Sequence, residues 1–566
     1  MNLQFYIEDR NYELWYANEQ NTLERQNISI NPFEEKIFTG DVFEYKEQKL
    51  RLLHSCIRSI SYMPGVLILE NNKTYGMSGS KNKKYLYKCI PDDKRLPEFL
   101  VSYEIKEMGF IKKFKNKYVT FQFNNWTSKH PHGTIIQTIG NVDILENFYE
   151  YQLYCKSLNA SIQGFNRATM NALKIKPKEE LIKTILSSYP EIENRTHKHI
   201  FTIDSETTSD YDDAIGFTQI NKDESIISIY ISNVSIWMDV LNLWSSFSER
   251  ISTIYLPDRK RPMLPTTLSE CLCSLQENEI RFAFTLDVFI QNEKIIKTEF
   301  KNTAIKVAKN YSYESNELFL DKDYNHIYNL CKSIHKEYKY VQHIRNSRDL
   351  VCYLMILMNY LCATRMSTYN NGIYRSLNMN VQNNLPENLD EEIYKFLKIW
   401  KNTSGQYICN QKVESHDILE LESYIHISSP IRRLVDLLNM IQFQKNENMI
   451  HMSESAFEFY LKWTNRMDYI NTTMRSIRKI QTECTILELI QNNPNMDKNK
   501  YEGYVFDRII RNDTLFQYNV YIPELKIVSR IVCREEFENY CKVLFRIFAF
   551  TDEIRYKKKI RIQPIL

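Results

Sequence analysis

Residues 201–214 read Phe-Thr-Ile-Asp204-Ser-Glu-Thr-Thr-Ser-Asp210-Tyr-Asp212-Asp213-Ala. A short apolar run ends in Asp204, and four aspartates and Glu206 then fall within ten residues. Like charges packed this closely destabilise one another unless a cation lies among them. Hard divalent cations favour carboxylate oxygens, and magnesium uses few protein ligands beside phosphate oxygens. Such a site can activate a water and neutralise charge on a phosphodiester. On the local pattern alone a solvated acidic turn and a calcium loop remain open. A calcium-binding helix-loop-helix is disfavoured, because its turn glycine and its terminal glutamate at the right offset are missing.

Outward from this stretch, strand-like runs come first: HIFTID, SIISIYIS and RFAFTLDVFI. Helical runs follow in YNHIYNLCKSIHKEY, LVCYLMILMNYLCATRM and IRRLVDLLNMIQFQK. Strands followed by helices predict one large α+β domain over 191–495. Within it, residues 424–439 read YIHISSPIRRLVDLLN. Ser before Pro and then an amphipathic run predicts a helix start. That would set Arg432 and Arg433 beside free backbone N–H groups, an anion site. A capped surface helix with solvated arginines is the alternative.

The flanks read as β structure. Runs such as GVLILE, YLYKCI and KYVTFQF, bounded by turn signals, predict two small β-barrels, over 1–90 and 91–190, the second with a helical connector. The break at QNNPNMDKNK (491–500) opens a third barrel over 496–566. Basic and aromatic residues interleave in KNKKYLYK (81–88) and IKKFKNKYVTFQF (111–123), which suits single-strand binding or simply a charged barrel surface.

Bulk properties narrow the class. The chain has 566 residues, 43% hydrophobic and 25% charged, with 73 basic against 70 acidic residues and a net charge of +3. A field this weak means that nucleic-acid binding must come from local basic patches. Only 12 residues are glycine, while Asn, Lys, Ile and Tyr abound, a bias expected of an AT-rich genome. Asn and Asp must therefore serve at turns where glycine is usual. The 12 cysteines include no CxxC pair and no zinc spacing, so they read as free thiols in a reducing compartment. The start, MNLQFYIEDRNYE, carries no signal peptide. The most apolar stretch, Leu350 to Ala363, is about 14 residues, short for a bilayer and expected as a buried core helix. A soluble, cytoplasmic protein without a membrane partner follows.

Taken together, the aspartate segment and Ser429-Pro-Ile-Arg432 resemble the ribonuclease II and ribonuclease R (RNB domain) exoribonuclease family. Between them, TIYLPDRKRPMLPTTLSECLCSL (253–275) is similar to that family's Tyr-Leu-Pro, Met-Leu-Pro and Leu-Cys-Ser-Leu signature. Weaker similarity is seen in KNYSYES (309–315) and in Ile373-Tyr-Arg. MPGVLIL (63–69), CIPDDKRLP (89–97) and HGTIIQTIG (132–140) resemble paired cold-shock barrels, and GYVF and VYIPEL (503–525) a closing OB barrel. The layout resembles eukaryotic-type members without the N-terminal endonuclease domain. The implied fold is multidomain α+β: two cold-shock-like OB barrels, a central α+β catalytic domain and a C-terminal OB barrel.

The resemblance also implies roles. Asp204, Asp210 and Asp213 would hold magnesium, with manganese as a substitute, and Asp212 would be the aspartate most critical to the chemistry. Arg432 would hold the phosphate being cleaved, and Tyr255 would stack on a base at the 3′ end. The implied activity is processive 3′-to-5′ hydrolysis of single-stranded RNA to 5′-nucleotide monophosphates, by a monomer, leaving a short end product. Departures from the pattern are Tyr230-Ile-Ser-Asn233 for His-Ile-Ala-Asp, Ser205 for proline, and Cys352 and Tyr353 near a usual acidic position. At Asn370-Asn371-Gly372-Ile373 the second base-clamping aromatic has no counterpart. The rival reading is a catalytically impaired RNA-binding regulator of the same family, which typically loses the aspartates that are complete here.

Overall fold

The computed structural model describes residues 1–566 except 79–83, 106–113, 336–342, 377–388, 391–392, 395, 398–399, 401–404, 410–422, 494, 554–555 and 566. The start of each basic-aromatic run, 81–83 and 111–113, lies outside the described residues. The chain divides into two compact units. One comprises Met1–Asn159, Leu256–Asp258 and Lys479–Leu566; the other comprises Ala160–Tyr255 and Arg259–Arg478.

In the first unit, strands Asn2–Ile7, Trp15–Glu19, Arg25–Gln26, Val42–Lys46 and Lys49–His54 make a five-stranded sheet. A closed barrel follows, of Met63–Leu67, Tyr85–Pro91, Phe99–Tyr103, Lys117–Asn125 and His132–Asn141. The expected division at residue 90 is corrected by this pairing, because it falls inside a barrel strand. Met63–Leu67 pairs antiparallel with Lys117–Asn125, in register Met63 to Phe121, so the barrel begins at Met63. Gly65 allows this close approach: a Cβ there would stand 2.7 Å from the Phe121 ring. A second five-stranded sheet, from Tyr501–Ile510 to Lys558–Pro564, buries Val505, Tyr518, Val520, Phe545 and Ile547.

The second unit is built on a seven-stranded mixed sheet. Its order is Glu193–Asn194, Lys294–Lys306, Ile280–Gln291, Glu224–Ser232, Asp213–Gln219, Ile200–Asp204 and Lys309–Ser312. Alternate residues of a strand face opposite sides. Thus Phe201, Ile203, Ile229, Ile231, Phe284 and Leu286 enter the main core, whereas Ile200, Ala214, Tyr230 and Ala283 share a smaller cluster with Leu275. Helices Lys322–Ile334, Ser347–Ser367 and Leu434–Asn446 contribute the other wall of the main core. Helix Ser347–Ser367, at 21 residues and mean hydropathy 1.4, is long and apolar enough to cross a membrane by length and composition. It extends beyond the apolar run at both ends, and Leu350, Leu354, Leu357, Met358 and Cys362 are packed into the core as expected.

Two further corrections concern helices. Gln163–Ile175 and Lys178–Ser188, expected as a connector attached to the second barrel, belong to the second unit. Phe165 packs tilted against Phe247 at 5.5 Å between ring centroids, and Lys178 pairs with Glu279, which fixes both helices there. The helix expected to begin at Ser429-Pro430 begins at Leu434 instead. Arg433 is extended at φ −134° because the chain here bridges to Ser252, and Leu434 N–H donates to the Ile251 carbonyl at 2.9 Å. Pro430 to Arg432 therefore forms a turn ahead of the helix, and Arg432 is held by that turn.

Candidate active site

The aspartate segment is the mouth of a hairpin. Ile200–Asp204 and Asp213–Gln219 pair antiparallel, in register Phe201 to Ile215, so Asp204 and Asp213 stand at the open ends of adjacent strands. Asp204 is fixed from its other side by the parallel strand Lys309–Ser312, and its carbonyl accepts the Tyr313 N–H at 2.9 Å. The loop between is held by the Leu-Cys-Ser-Leu segment. Ser274 Oγ donates to the Ser209 carbonyl at 3.0 Å and accepts the Tyr211 N–H at 3.0 Å. Leu275 N–H donates to the Tyr211 carbonyl at 3.0 Å, and Ser232 Oγ to the Cys273 carbonyl at 2.7 Å. That segment of the sequence is thus a clamp on the acidic loop.

Each aspartate has a different environment. Asp212 is buried; its Oδ1 accepts the Ile431 N–H at 2.9 Å and its Oδ2 accepts Arg432 Nε at 3.1 Å. Burial pushes its carboxyl up to about 7, against the pull of Arg432 and the Ile431 amide. Asp210 Oδ1 accepts Lys260 Nζ at 2.9 Å. Asp204 Oδ2 is buried with no hydrogen-bond partner among the described residues. Burial, then the charges of Asp213 and Asp212, holds the Asp204 carboxyl well above the usual range, and burial likewise raises Asp213. A carboxylate oxygen kept from water without a partner is what a cation would relieve. The donor set fits magnesium, which binds through one or two carboxylates plus waters and phosphate oxygens. Among the described residues no three His, Cys, Asp or Glu side chains converge as a ready-made ion cage. Two of the four aspartates are instead paired with cations, Asp212 with Arg432 and Asp210 with Lys260.

Arg432 lies in the turn before the helix, with Nη2 on Ser429 Oγ at 3.0 Å. Its carbonyl accepts from Thr253 N–H at 3.0 Å and Ser252 Oγ at 2.9 Å. The residues just ahead of the short strand Ile254–Tyr255 therefore brace Arg432. Tyr255 ends that strand, 42% exposed, opposite Lys260. Arg433, by contrast, pairs directly with Asp436 at 2.8 Å.

Of the departures noted in the sequence, Ser205 follows Asp204 in the acidic loop, its Oγ 2.8 Å from Thr208 Oγ1, whereas Tyr230, Asn233 and Asn371 fall elsewhere. Asn233 is fully buried and caps helix Val234–Val240, with its side-chain amide on Asn302 and Gln444. Tyr230 is core, beside the buried Arg195–Asp287 pair. Asn371 exchanges hydrogen bonds with Asn446. Sequence reasoning missed Lys260, Glu270 and Tyr313. The Tyr313 hydroxyl is pushed up to about 12 by burial and by the charges of Asp204 and Asp213. Lys260 stands in the Arg-Lys-Arg run of the 253–275 segment, but nothing in that run says which carboxylate it meets.

This geometry can be set beside known proteins. Residues 192–350 match the family model described as RNB domain. The chain carries an RNB domain. Residues 86–150 match the Dis3-like cold-shock domain 2 (CSD2), so the RNB domain is accompanied by an OB-fold barrel in a multidomain α+β chain. A DIS3-like exonuclease 2 of Schizosaccharomyces pombe is 27% identical over 254 residues, which are 41% of this chain and 26% of that protein. Among solved structures, Mycoplasma genitalium RNase R in complex with ribose methylated single-stranded RNA has a TM-score of 0.65 at 14% identity, covering 100% of both chains. Yeast Ssd1, a pseudonuclease, has a TM-score of 0.57 at 13% identity, covering 96% of this chain and 81% of that one. The fold around the RNB domain is thus shared by proteins of both kinds. The chain spans 26% and 54% of the length of the first two curated relatives it matches.

Proposed function

We propose that this RNB-domain chain is a hydrolytic exoribonuclease that binds single-stranded RNA and degrades it processively from the 3′ end. The products are 5′-nucleotide monophosphates and a short end fragment. The observation that carries this reading is Arg432 on Asp212 beside the partnerless Asp204 oxygen: a phosphate-binding cation, a carboxylate that titrates near neutrality and an unmet demand for countercharge in one place.

Asp204 and Asp213 are the carboxylates available to magnesium, or to manganese in its stead. When bound, such an ion supplies countercharge for the phosphodiester and lowers the pKa of water. The chain's own groups do the rest. Arg432 Nη1 has no protein acceptor among the described residues, so the guanidinium can fork onto the scissile phosphate. Its transfer to phosphate frees Asp212 Oδ2 to take the proton of the attacking water, at a pKa suited to a general base. Tyr255 stacks on the terminal base and holds the end of the strand in register. A sugar 2′-hydroxyl contact favours RNA over DNA.

The test uses 5′-labelled single-stranded RNA with magnesium or with chelator, beside Asp212→Asn. A short labelled end product in magnesium alone, with Asp212→Asn binding RNA but not cutting it, is expected. Binding without shortening under magnesium or manganese would make the chain an RNA-binding regulator instead. Equal degradation of single-stranded DNA would remove the RNA assignment.

A further inference from the structure

Lys260 lies on the short strand Lys260–Arg261, opposite Tyr255. Its ammonium meets Ser209 Oγ at 2.7 Å, Asp210 Oδ1 at 2.9 Å and Glu270 Oε1 at 2.8 Å. An ammonium has three protons to donate, so three acceptors at these distances saturate it. Glu270 is held in turn by Ser209 Oγ at 3.0 Å. It projects from Thr267–Cys273, a π-helical turn, a rare element frequent at functional sites.

Asp212 is matched by Arg432 and the Ile431 amide. Asp210 and Glu270 share the Lys260 ammonium. Among the described residues Asp204 and Asp213 make no direct ion pair; the Arg432 charge acts on both carboxyls through space, and a buried oxygen of Asp204 has no hydrogen-bond partner. Two carboxylates without a direct ion pair are what this cluster can offer one divalent ion. A second ion at Asp210 would face the ammonium at roughly 4 Å, where like charges repel by several kcal/mol at the effective dielectric of a protein surface. Drawing Asp210 away to the first ion would strip Lys260 of one of its three acceptors.

We propose that Lys260 is a tethered cation standing where a second metal ion would otherwise sit. The cluster then loads a single divalent ion on Asp204 and Asp213, and Asp210 is positioned by Lys260 instead of ligating. This rests on the reading that the aspartates hold a divalent ion. Lys260 is a positioning residue: it acts through Asp210 and Glu270. It also departs from the assignment of Asp210 to the ion that the family resemblance implies.

The test is manganese binding to the whole RNA-free protein, counted by the loss of the free-ion signal in electron paramagnetic resonance. Wild type is expected to bind one ion. Asp204→Asn should weaken binding by about tenfold or more, the scale of losing a shell residue, and Asp210→Asn should leave it nearly unchanged. Lys260→Met should free Asp210 and Glu270, giving a second ion or tighter binding, and Lys260→Arg should restore the wild-type count. If Asp210→Asn weakens binding as much as Asp204→Asn, or if folded Lys260→Met binds as wild type does, the proposal is wrong. Should Lys260→Met fail to fold, the two aspartate variants decide alone. Wild type binding no ion would sink both this inference and the ion reading beneath it, whereas a one-ion protein that ligates through Asp210 sinks the inference only.

Discussion

At the scale of single residues, the aspartates differ more in surroundings than in sequence. Asp212 carries a pH signature. Its folded carboxyl stands at about 7 through burial, while an unfolded aspartate titrates near pH 4. Between about pH 4 and pH 7 the folded chain keeps this proton and the unfolded chain has lost it. Stability from this group is therefore present below pH 4 and lost as pH rises to 7. In chelator, the melting temperature of wild type should fall relative to Asp212→Asn between about pH 5 and pH 7.5, measured by scanning calorimetry. A constant difference would mean that Asp212 titrates as an exposed carboxyl does. Arg432→Lys keeps the charge and loses the planar fork, so turnover should drop by about 10²–10³; a rate within twofold of wild type would show that only the charge matters. For Tyr255→Ala the expected change is a longer end product on a sequencing gel, and an unchanged ladder would remove its stacking role.

At the scale of elements, the sheet and the core helix are built from periodicities visible in the sequence. Phe201, Ile203, Ile229 and Ile231 alternate as a strand buried on one side requires, and helix Ser347–Ser367 is the apolar run extended at both ends. Leu354→Ala in that helix should cost about 2–5 kcal/mol in a denaturant melt, the range for a buried leucine. The barrel has its own sensitive point. Gly65→Ala places a methyl against Phe121 and Cys89, and a loss of about 1–3 kcal/mol from overpacking is expected. The helix start at Leu434 was not legible at Ser429-Pro430, because the bridge to Ser252 overrides the local preference. The barrel's beginning at Met63 was hidden for a similar reason: one of its two partner strands, Lys117–Asn125, lies about 50 residues further along the chain.

At the scale of the whole molecule, a net charge of +3 gives no strong global attraction for nucleic acid. Affinity for RNA must come from local contacts to successive phosphates. The dissociation constant for a single strand should therefore rise steeply with salt, by about 0.7 log units per log unit of salt for each phosphate neutralised. A filter-binding series that stays flat from low to physiological salt would exclude a phosphate-dominated path. The poverty in glycine is met as expected: Asn71, Asn72, Asn242, Asn278, Asn292, Asn370 and Asn448 take positive φ. The two-residue hairpin turns go further, using Glu47-Gln48 and Asn292-Glu293 with φ positive at both positions.

By itself the sequence determined the succession of strands and helices, the acidic segment at a strand end and the family resemblance. These depend on neighbours in the chain, or on motifs whose order survives without coordinates. Only the tertiary structure decided how the cluster's charge is shared. Arg432 comes to Asp212 across 220 positions and Lys260 to Asp210 across 50. No local pattern encodes such meetings, because ion pairing follows distance in space and burial, which the packed sheet and its loops set together. The four aspartates at 204, 210, 212 and 213 are alike in the sequence and unlike in the fold.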